Sequence, residues 1–287
     1  MSDAALIPYN PLTPVVKADN DDTIVDLWLR TKRNPGTRSL YAYTVTGFRQ
    51  FIGCELRGLT LDRFMDYCET LTTYRPATQA QRISTVKSLL SFAQKVGYIP
   101  YNVGATVPAP KGKDTLSERI LSEEQVIKII LAAAGNPRHE LLIRLMYRTA
   151  GRVSEIIHAT WNDLVLTEDK AQIALFGKGN ETRHVTLPAD LYHCLQAIRE
   201  GAKGDERIFP VSRQGAWHTV KALAKKAGLG DKPSPHWFRH SHATHALNRG
   251  AVINLVSETL GHSNIAVTSK YTHVRPGESS GDYLEVG

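Results

Sequence analysis

Residues 235–247, PHWFRHSHATHAL, place four histidines and one arginine on about three turns of a predicted helix. Within it, His236 and Arg239 lie one helical turn apart and share a face. Histidines at such spacing suit three roles: metal ligation, packing in a core, or handling of a phosphate group. The choice depends on which other reactive side chains the chain supplies, and where.

Three further stretches carry reactive residues in unusual settings. TAGRVSEIIHATWNDL (149–164) has Arg152 just after a glycine at a helix start. FGKGNETRHV (176–185) predicts a hairpin with Lys178 at its tip or shoulder. LGHSNIAVTSKYTHV (260–274) contains His262 and Tyr271. Taken alone, Lys178 would usually be a solvated turn residue and Tyr271 a half-buried aromatic residue.

These four stretches, in this order, closely resemble the boxes of the tyrosine recombinases, also called the phage integrase family. The matches are Arg152-Val153-Ser154-Glu155 to the Arg-x-Ser-Glu box, Lys178 to the hairpin lysine, His236–His240 to the His-x-x-Arg-His box, Leu260–His262 to the Leu-Gly-His box, and Tyr271 to the nucleophile. The resemblance runs from about residue 20 to 275. One departure is Ala-Gly-Arg at 150–152, where the family usually has Gly-Leu-Arg; it should change packing rather than chemistry.

The resemblance implies a DNA strand-breaking and rejoining enzyme with a 3′-phosphotyrosyl intermediate at Tyr271 and with neither a metal nor a cofactor. Attack on a phosphodiester builds negative charge on the non-bridging oxygens, and guanidinium groups neutralise such charge bidentately. Arg152 and Arg239 fit this role. Glu155 is predicted to be structural, bonding a neighbouring histidine or backbone group.

Proton transfers need further groups. A tyrosine hydroxyl is a poor nucleophile until it loses its proton, so a histidine should assist Tyr271. His236 is predicted to be that assistant and His262 to hydrogen-bond the phosphate, although the sequence alone does not fix this division. Lys178 is predicted to protonate the departing 5′ oxygen.

Metal binding is the alternative for the histidines, with His236, His240 and His245 as ligands. It lacks a nearby Cys or carboxylate ligand, and HxxxH without the intervening Glu is not the zinc-protease motif. We expect no metal site. His240, His242 and His245 are predicted to pack, cap or bond to backbone, with His240 behind the reacting groups.

The net charge of +7 is unevenly placed. Residues 30–113 contain 13 Lys/Arg against 4 Asp/Glu, whereas residues 114–287 contain 21 against 19. A basic first half suits a polyanion, and nucleic acid is the commonest large one. The predicted DNA-binding residues are Arg75, Arg82, Lys87, Lys95, Lys111 and Lys113. A solvated basic surface is the alternative.

The patterns predict a mainly α fold with a small antiparallel β-sheet. Four helical segments precede residue 100, and the third has an apolar face of Leu61, Phe64, Met65, Cys68 and Leu71 after a cap at Thr60. The predicted organisation is an N-terminal extension (1–19), a helical core-binding domain (20–106), a linker (107–120) and a catalytic domain (121–287). The catalytic domain opens with a capping box of Ser122 and Gln125.

Length and composition limit the number of domains and the cellular location that we expect. With 287 residues, of which 42% are hydrophobic, the chain can form two cores. No apolar run approaches the roughly 20 residues of a membrane helix, and MSDAALIPYNPLTPVV lacks the order of a signal peptide. We expect no membrane partner and a place in the cytoplasm of a bacterial host cell or on its nucleoid. Cys54, Cys68 and Cys194 are expected to be reduced and buried.

The family resemblance implies a partner and a biological role. The partner is duplex DNA with short inverted-repeat core sites. The protein is expected to be a homotetramer on synapsed DNA and a monomer when free. Phage or mobile-element integration and excision is the expected role. The alternatives are chromosome-dimer or transposon-cointegrate resolution, relaxation of supercoils as in type IB topoisomerases, and DNA binding without catalysis.

Overall fold

The computed structural model describes residues 18–108, 116–167, 170–177, 181–262 and 264–274. The chain divides into two compact units, Met1–Asp114 and Thr115–Gly287. The division falls inside the stretch 107–120, which the sequence predicts as a linker. As predicted, the described residues are mainly helical, with one small antiparallel sheet.

The first unit contains the four predicted helices: α1 (Asp21–Arg30), α2 (Pro35–Ile52), α3 (Leu61–Thr70) and α4 (Pro76–Lys95). The first three begin at side-chain caps, where Asn20, Asn34 and Thr60 each accept a hydrogen bond from the backbone N–H three residues later. Helix α4 instead begins with Pro76, whose missing N–H costs nothing in the first turn. Local sequence therefore sets where these helices start.

Aromatic rings fill the core of the first unit. Phe48 of α2 packs edge-on against Phe64 and Tyr67 of α3, with ring centroids 6.2 and 4.8 Å away. Leu61 and Met65 are 40% and 47% exposed, so their predicted place on the buried face of α3 is wrong. The reason is that α3 turns Tyr67 toward α2, which rotates Leu61 and Met65 to solvent.

The second unit has more elements and a mixed architecture. Its described residues form α5 (Glu123–Ala132), α6 (Pro137–Thr149), α7 (Val153–His158), β1 (Leu164–Leu166), β2 (Ala171–Phe176), β3 (Thr182–Leu187), α8 (Ala189–Ala197), α9 (Arg213–Lys226), α10 (Pro235–Asn248) and α11 (Ile253–Leu260). Two short 3₁₀ segments follow, Ile265–Val267 and Ser269–Val274. The capping box of Ser122 and Gln125 at the start of α5 is confirmed.

The sheet has the strand order β1-β2-β3, with both pairs antiparallel. Phe176 pairs with Thr182 at the end of the β2–β3 ladder. Strands β2 and β3 therefore form the predicted hairpin. Lys178 itself lies outside the described residues, and so do Lys111 and Lys113 of the predicted DNA-binding set.

Helix α10 carries the histidine-rich segment and packs against α5, α6, α9 and α11. Phe238 and Ala243 are fully buried on it. Ser241 is also buried, and its hydroxyl accepts a hydrogen bond from the backbone N–H of Leu121 at 2.8 Å. A buried polar group is tolerated when it is hydrogen-bonded, which is how α10 can be central without an apolar sequence.

The cysteines are free thiols, but their predicted burial is wrong for two of them. Cys54 and Cys194 are exposed and Cys68 is partly buried. Cys194 lies on the outer side of α8, where Nη1 of Arg144 is 3.8 Å from its sulfur. Among the helices in the described ranges, none is long and apolar enough to span a bilayer.

Candidate active site

The turn between α6 and α7 places Arg152. Helix α6 ends at Thr149, and Ala150 follows in the left-handed region with φ 50°, which costs an L-residue roughly 1–2 kcal/mol. A Cβ at Gly151 would lie 2.5 Å from Cδ1 of Ile156. The Ala-Gly order at 150–151 thus puts the strained backbone on an alanine and requires a glycine after it.

Glu155 fixes the orientation of Arg152. The Glu155 side chain is 3% exposed; Oε1 accepts a hydrogen bond from Nη1 of Arg152 at 2.8 Å, and Oε2 accepts one from the Arg152 backbone N–H at 2.8 Å. Oε2 also accepts from Nη2 of Arg183 at 2.6 Å. Burial alone would raise the pKa of Glu155, but the hydrogen bonds from Arg183 and Arg152 hold it below its ordinary value. Its partners are arginines and a backbone group, not the histidine that the sequence left open.

Arg183, which the sequence reasoning missed, connects two of the four stretches. From β3 it reaches Glu155 and donates through Nε to the carbonyl of Thr259 at 2.8 Å. Its stem also lies against Gly261, where a Cβ would be 3.3 Å from Cδ of Arg183. One signal could have found it: along β3, Arg183 has the same parity as the buried Val185. An arginine on the inner face of a strand needs buried partners.

Arg239 is 2% exposed and anchored at both ends of its guanidinium. Nη1 donates to the carbonyl of Ala150 at 2.7 Å, and Nη2 donates to the carbonyl of Leu260. Burial, together with the charges of Arg152 and Arg183, lowers the pKa of Arg239 to about 10. The group is therefore still a cation at neutral pH.

His236 and His262 share the environment of the two predicted catalytic arginines. Burial lowers the pKa of His236, and the charges of Arg239 and Arg152 lower it further. Burial followed by the same two charges lowers the pKa of His262 to about 4. Nδ1 of His262 lies 2.8 Å from Oγ1 of the buried Thr268. Both rings are neutral near pH 7, and three separate stretches meet around these charges.

Tyr271 lies at the edge of this group. Its side chain is 5% exposed and its hydroxyl lies 2.7 Å from Nδ1 of His240. Burial raises the pKa of Tyr271, an effect partly offset by the charge of Arg239. Among the described residues, His240 is the histidine whose ring lies within hydrogen-bonding distance of the Tyr271 hydroxyl. The sequence had nominated His236 to assist Tyr271.

The other two histidines of α10 have structural partners. Nδ1 of His242 lies 2.8 Å from the carbonyl of Tyr147, and Nδ1 of His245 lies 2.8 Å from the hydroxyl of the same tyrosine. In the ranges the structure describes, no cluster of three or more His, Cys, Asp or Glu side chains could hold a metal ion.

A cavity of about 720 Å³ opens beside the site. Arg152 and His236 line it, together with Arg213 and Trp217 from α9. Trp217 is 43% exposed, and neither α9 residue was singled out from the sequence. Two cations, Arg152 and Arg213, therefore line the same cavity.

The predicted DNA-binding residues of the first unit differ in whether their charged groups contact other parts of the protein. Arg75 and Lys95 are exposed at the two ends of α4. The guanidinium of Arg82 lies 4.1 Å from the ring centre of Tyr74. The ammonium of Lys87 donates to the carbonyl of Val107, so this lysine also has a structural partner. DNA contact by these residues remains a prediction.

Comparison with known proteins agrees with this geometry. Residues 119–278 match the model of the phage integrase family. Tyrosine recombinase XerD of Bifidobacterium longum (strain NCC 2705) is 32% identical over 232 residues, which cover 72% of this chain and 74% of that protein. The XerD protein of Pseudomonas aeruginosa PAO1 is 28% identical over 86% of this chain and 90% of its own length.

Solved structures share the fold. A lambda integrase (75–356) dimer bound to a COC′ core site superposes with a TM-score of 0.73 and 21% identity, covering 93% of this chain and 100% of that chain. The XerH recombinase bound to a palindromic difH substrate gives a TM-score of 0.70 and 22% identity, covering 83% and 76%. The family model spans more than half of the sequence. The chain therefore belongs to the phage integrase family and is a tyrosine recombinase, an enzyme that breaks and rejoins DNA.

Proposed function

We propose that this protein recombines DNA at specific sites through a 3′-phosphotyrosyl bond at Tyr271. The observation that carries the proposal is that the charge of Arg239 acts on His236, His262 and Tyr271 at once. These residues come from two of the four sequence stretches, and Arg152, whose charge also acts on His236 and His262, comes from a third. A phosphodiester is the substrate that such a cationic group beside a buried phenol would accept.

The proposed roles follow from charge. Arg152 and Arg239 neutralise the non-bridging oxygens, whose negative charge grows as the phosphorus becomes five-coordinate. His262 and His236, held neutral, donate hydrogen bonds to the same phosphate. Lys178 on the hairpin supplies a proton to the departing 5′ oxygen. Because the phosphotyrosyl bond retains the energy of the broken phosphodiester, rejoining requires neither ATP nor a metal.

The proposed partner is duplex DNA that carries short inverted-repeat core sites. Its support is the fold shared with a lambda integrase dimer on a core site and a lambda integrase tetramer on a Holliday junction. We propose a monomer in the absence of DNA and a homotetramer on synapsed sites. The basic first unit grips one face of the duplex, and the enzyme works in the cytoplasm, where bacterial DNA lies.

Two biological roles use this chemistry. Integration and excision of a phage or mobile element is the first, as the sequence suggests. Chromosome-dimer resolution is the second, and it is favoured by the relatives named XerD. Sequencing the DNA beside the gene decides between them: an attachment site supports the first role, and its absence together with activity on a single chromosomal site supports the second.

The test begins with a substrate. A library of randomised duplexes is selected for retention by Tyr271→Phe protein, and the recovered sequence (the selected duplex) is prepared with a nick beside the candidate cleavage position. Wild-type protein should form a denaturation-resistant adduct with the selected duplex in the presence of EDTA. Tyr271→Phe should bind equally but form none.

Four outcomes would count against the proposal. Undiminished adduct formation by Tyr271→Phe would remove Tyr271 from the reaction. Loss of cleavage in EDTA with recovery on adding zinc would restore the metal alternative. Retention of DNA without any adduct from wild-type protein would indicate a DNA-binding protein without catalysis. Relaxation of supercoiled plasmid without recombinant products would indicate a topoisomerase.

A further inference from the structure

We propose that His240, rather than His236, accepts the proton of Tyr271 during attack on the phosphate. This rests on the proposed function, in which Tyr271 is the nucleophile. The geometry is specific: Nδ1 of His240 and Oη of Tyr271 lie 2.7 Å apart, across 31 residues of sequence. Tyr271 is 5% exposed, so water has little access to its hydroxyl.

The elements around this pair hold it in place. His240 lies on α10 directly after Arg239, whose guanidinium is fixed by two backbone carbonyls. The His236 ring stands edge-on to the His240 ring, with centroids 4.6 Å apart and planes at 80°. His236 thus limits rotation of the acceptor while itself facing the cavity beside Arg152. His240 therefore faces the Tyr271 hydroxyl, whereas His236 faces the side on which we propose that the phosphate binds.

The step balances without another reactant. The Tyr271 oxygen forms a bond to phosphorus as its O–H bond breaks, and the proton moves to Nδ1 of His240. The bond from phosphorus to the 5′ oxygen breaks, and that oxygen takes a proton from Lys178. On rejoining, the 5′ hydroxyl attacks phosphorus and gives its proton to the neutral amine of Lys178. The bond from phosphorus to the Tyr271 oxygen breaks, and the imidazolium of His240 returns its proton to that oxygen.

The His240 ring is neutral before the reaction. Burial, then the charges of His236 and Arg119, with smaller effects from Arg239 and His262, lowers the pKa of His240 to about 4. The ring is therefore unprotonated and able to accept at neutral pH. A general base is most effective when its pKa lies near the operating pH. The negative charge of a bound phosphate moves the pKa of His240 in that direction, because it offsets the surrounding cations.

The decisive variant is His240→Asn, whose side-chain amide occupies the Nδ1 position but cannot take up a proton. Single-turnover cleavage is measured on the selected duplex and on the same duplex with a 5′-bridging sulfur, because a thiolate leaves without protonation. We expect His240→Asn to slow both reactions by on the order of 10²- to 10⁴-fold, with DNA binding and melting temperature unchanged.

The matched control is His242→Asn. It changes a half-buried histidine on the same helix, two residues further on, whose Nδ1 faces the carbonyl of Tyr147 instead, and it should cleave both duplexes like wild type. Wild-type cleavage by His240→Asn would overturn the inference, and so would a defect that disappears on the sulfur substrate, which would place His240 at the leaving group. Adduct formation by Tyr271→Phe would instead overturn the proposed function itself.

A second measurement on wild-type protein does not depend on the variant folding. The ¹⁵N chemical shift of Nδ1 in His240 reports whether that nitrogen carries a proton. The inference requires an unprotonated Nδ1 that accepts from Tyr271. A protonated Nδ1 at neutral pH would overturn it, because such a nitrogen cannot accept the phenol proton.

Discussion

Glu155 and Arg183 lie 28 residues apart in the chain, yet their side chains meet at 2.6 Å with 3% and 11% exposure. The contact joins α7 to β3, and through the carbonyl of Thr259 it continues to the end of α11. Arg152 is held by the same carboxylate. One buried anion therefore joins the stretch that carries Arg152 to the hairpin stretch, and through Arg183 to the end of α11.

Replacing Arg183 should lower the free energy of unfolding more than the loss of a surface ion pair does. Arg183→Met keeps the apolar stem but leaves Glu155 with one fewer cation, and breaking a buried pair typically costs about 3–5 kcal/mol. The free energy of unfolding, measured in denaturant, should fall by about that amount. Lys128→Gln is the control, since it removes an exposed pair with Glu124 at 2.7 Å and should cost about 1 kcal/mol or less. Equal losses in the two variants would contradict this reading of Glu155.

Ala150→Gly should change the stability of the protein little. Glycine at φ 50° removes a steric cost of roughly 1–2 kcal/mol, but the variant loses a fully buried methyl group, which costs about 0.8 kcal/mol, and glycine adds an entropy cost of roughly 0.5–1 kcal/mol. Ala222→Gly, at an exposed position inside α9, should instead destabilise by about 1 kcal/mol. Thermal melting of the two variants is the measurement. A lower melting temperature for Ala150→Gly would show that the alanine methyl group is needed there.

Acid should destabilise the second unit in a defined range. The pKa values of His240 and His262 are lowered to about 4 in the folded protein, whereas histidine in an unfolded chain has a pKa near 6.5. Between these values the unfolded chain binds protons that the folded protein does not, so stability falls as the pH is lowered from about 6.5 to about 4. Below that range Glu155, whose pKa is also lowered, adds a further loss.

Denaturant unfolding at a series of pH values measures this dependence. Replacing both His240 and His262 with asparagine should make the curve less steep in that range. Part of the dependence should remain, because the pKa values of His236, His242 and His245 are also lowered. Replacing the exposed His193 should leave the curve as in wild type. An unchanged curve in the double variant would assign the acid sensitivity to other groups.

The first unit should bind DNA through its freest cations. Replacing Arg75 and Lys95 with glutamine should weaken binding to the selected duplex and lower its log–log salt slope by roughly 0.9 for each lost phosphate contact. Lys87→Gln should lower the melting temperature as well, because the ammonium of Lys87 contacts the carbonyl of Val107. If Arg75 and Lys95 affected cleavage at saturating protein but not binding, their charge would not serve as a DNA contact.

The sequence predicts most of the fold, since helix starts follow from local caps such as Asn20, Asn34 and Thr60. It fails where burial depends on a neighbouring element. Met65 and Tyr67 are two residues apart, and either could face inward; the position of Phe48 on α2 decides for Tyr67. Propensity and period carry no information about that neighbour.

The candidate site is likewise predictable from the sequence only in part. Arg152, His236, Arg239, His262 and Tyr271 could each be nominated because they stand in recognisable motifs. The pairing of His240 with Tyr271 could not, because it depends on how the Ser269–Val274 segment returns onto α10. Arg183 has no motif of its own, and only the inner face of β3 identifies it. Motifs name the reacting groups, whereas their supports are set by tertiary structure.

The anchoring of Arg239 has a thermodynamic consequence for the reaction. Its guanidinium has five N–H donors, and two of them are bound to the carbonyls of Ala150 and Leu260. The conformational entropy of this long side chain is therefore lost when the chain folds, and almost none of it is lost when DNA arrives. Folding and catalysis thus depend on the same two hydrogen bonds, and any variation that loosens the ends of α6 or α11 will weaken transition-state stabilisation before it disturbs DNA binding.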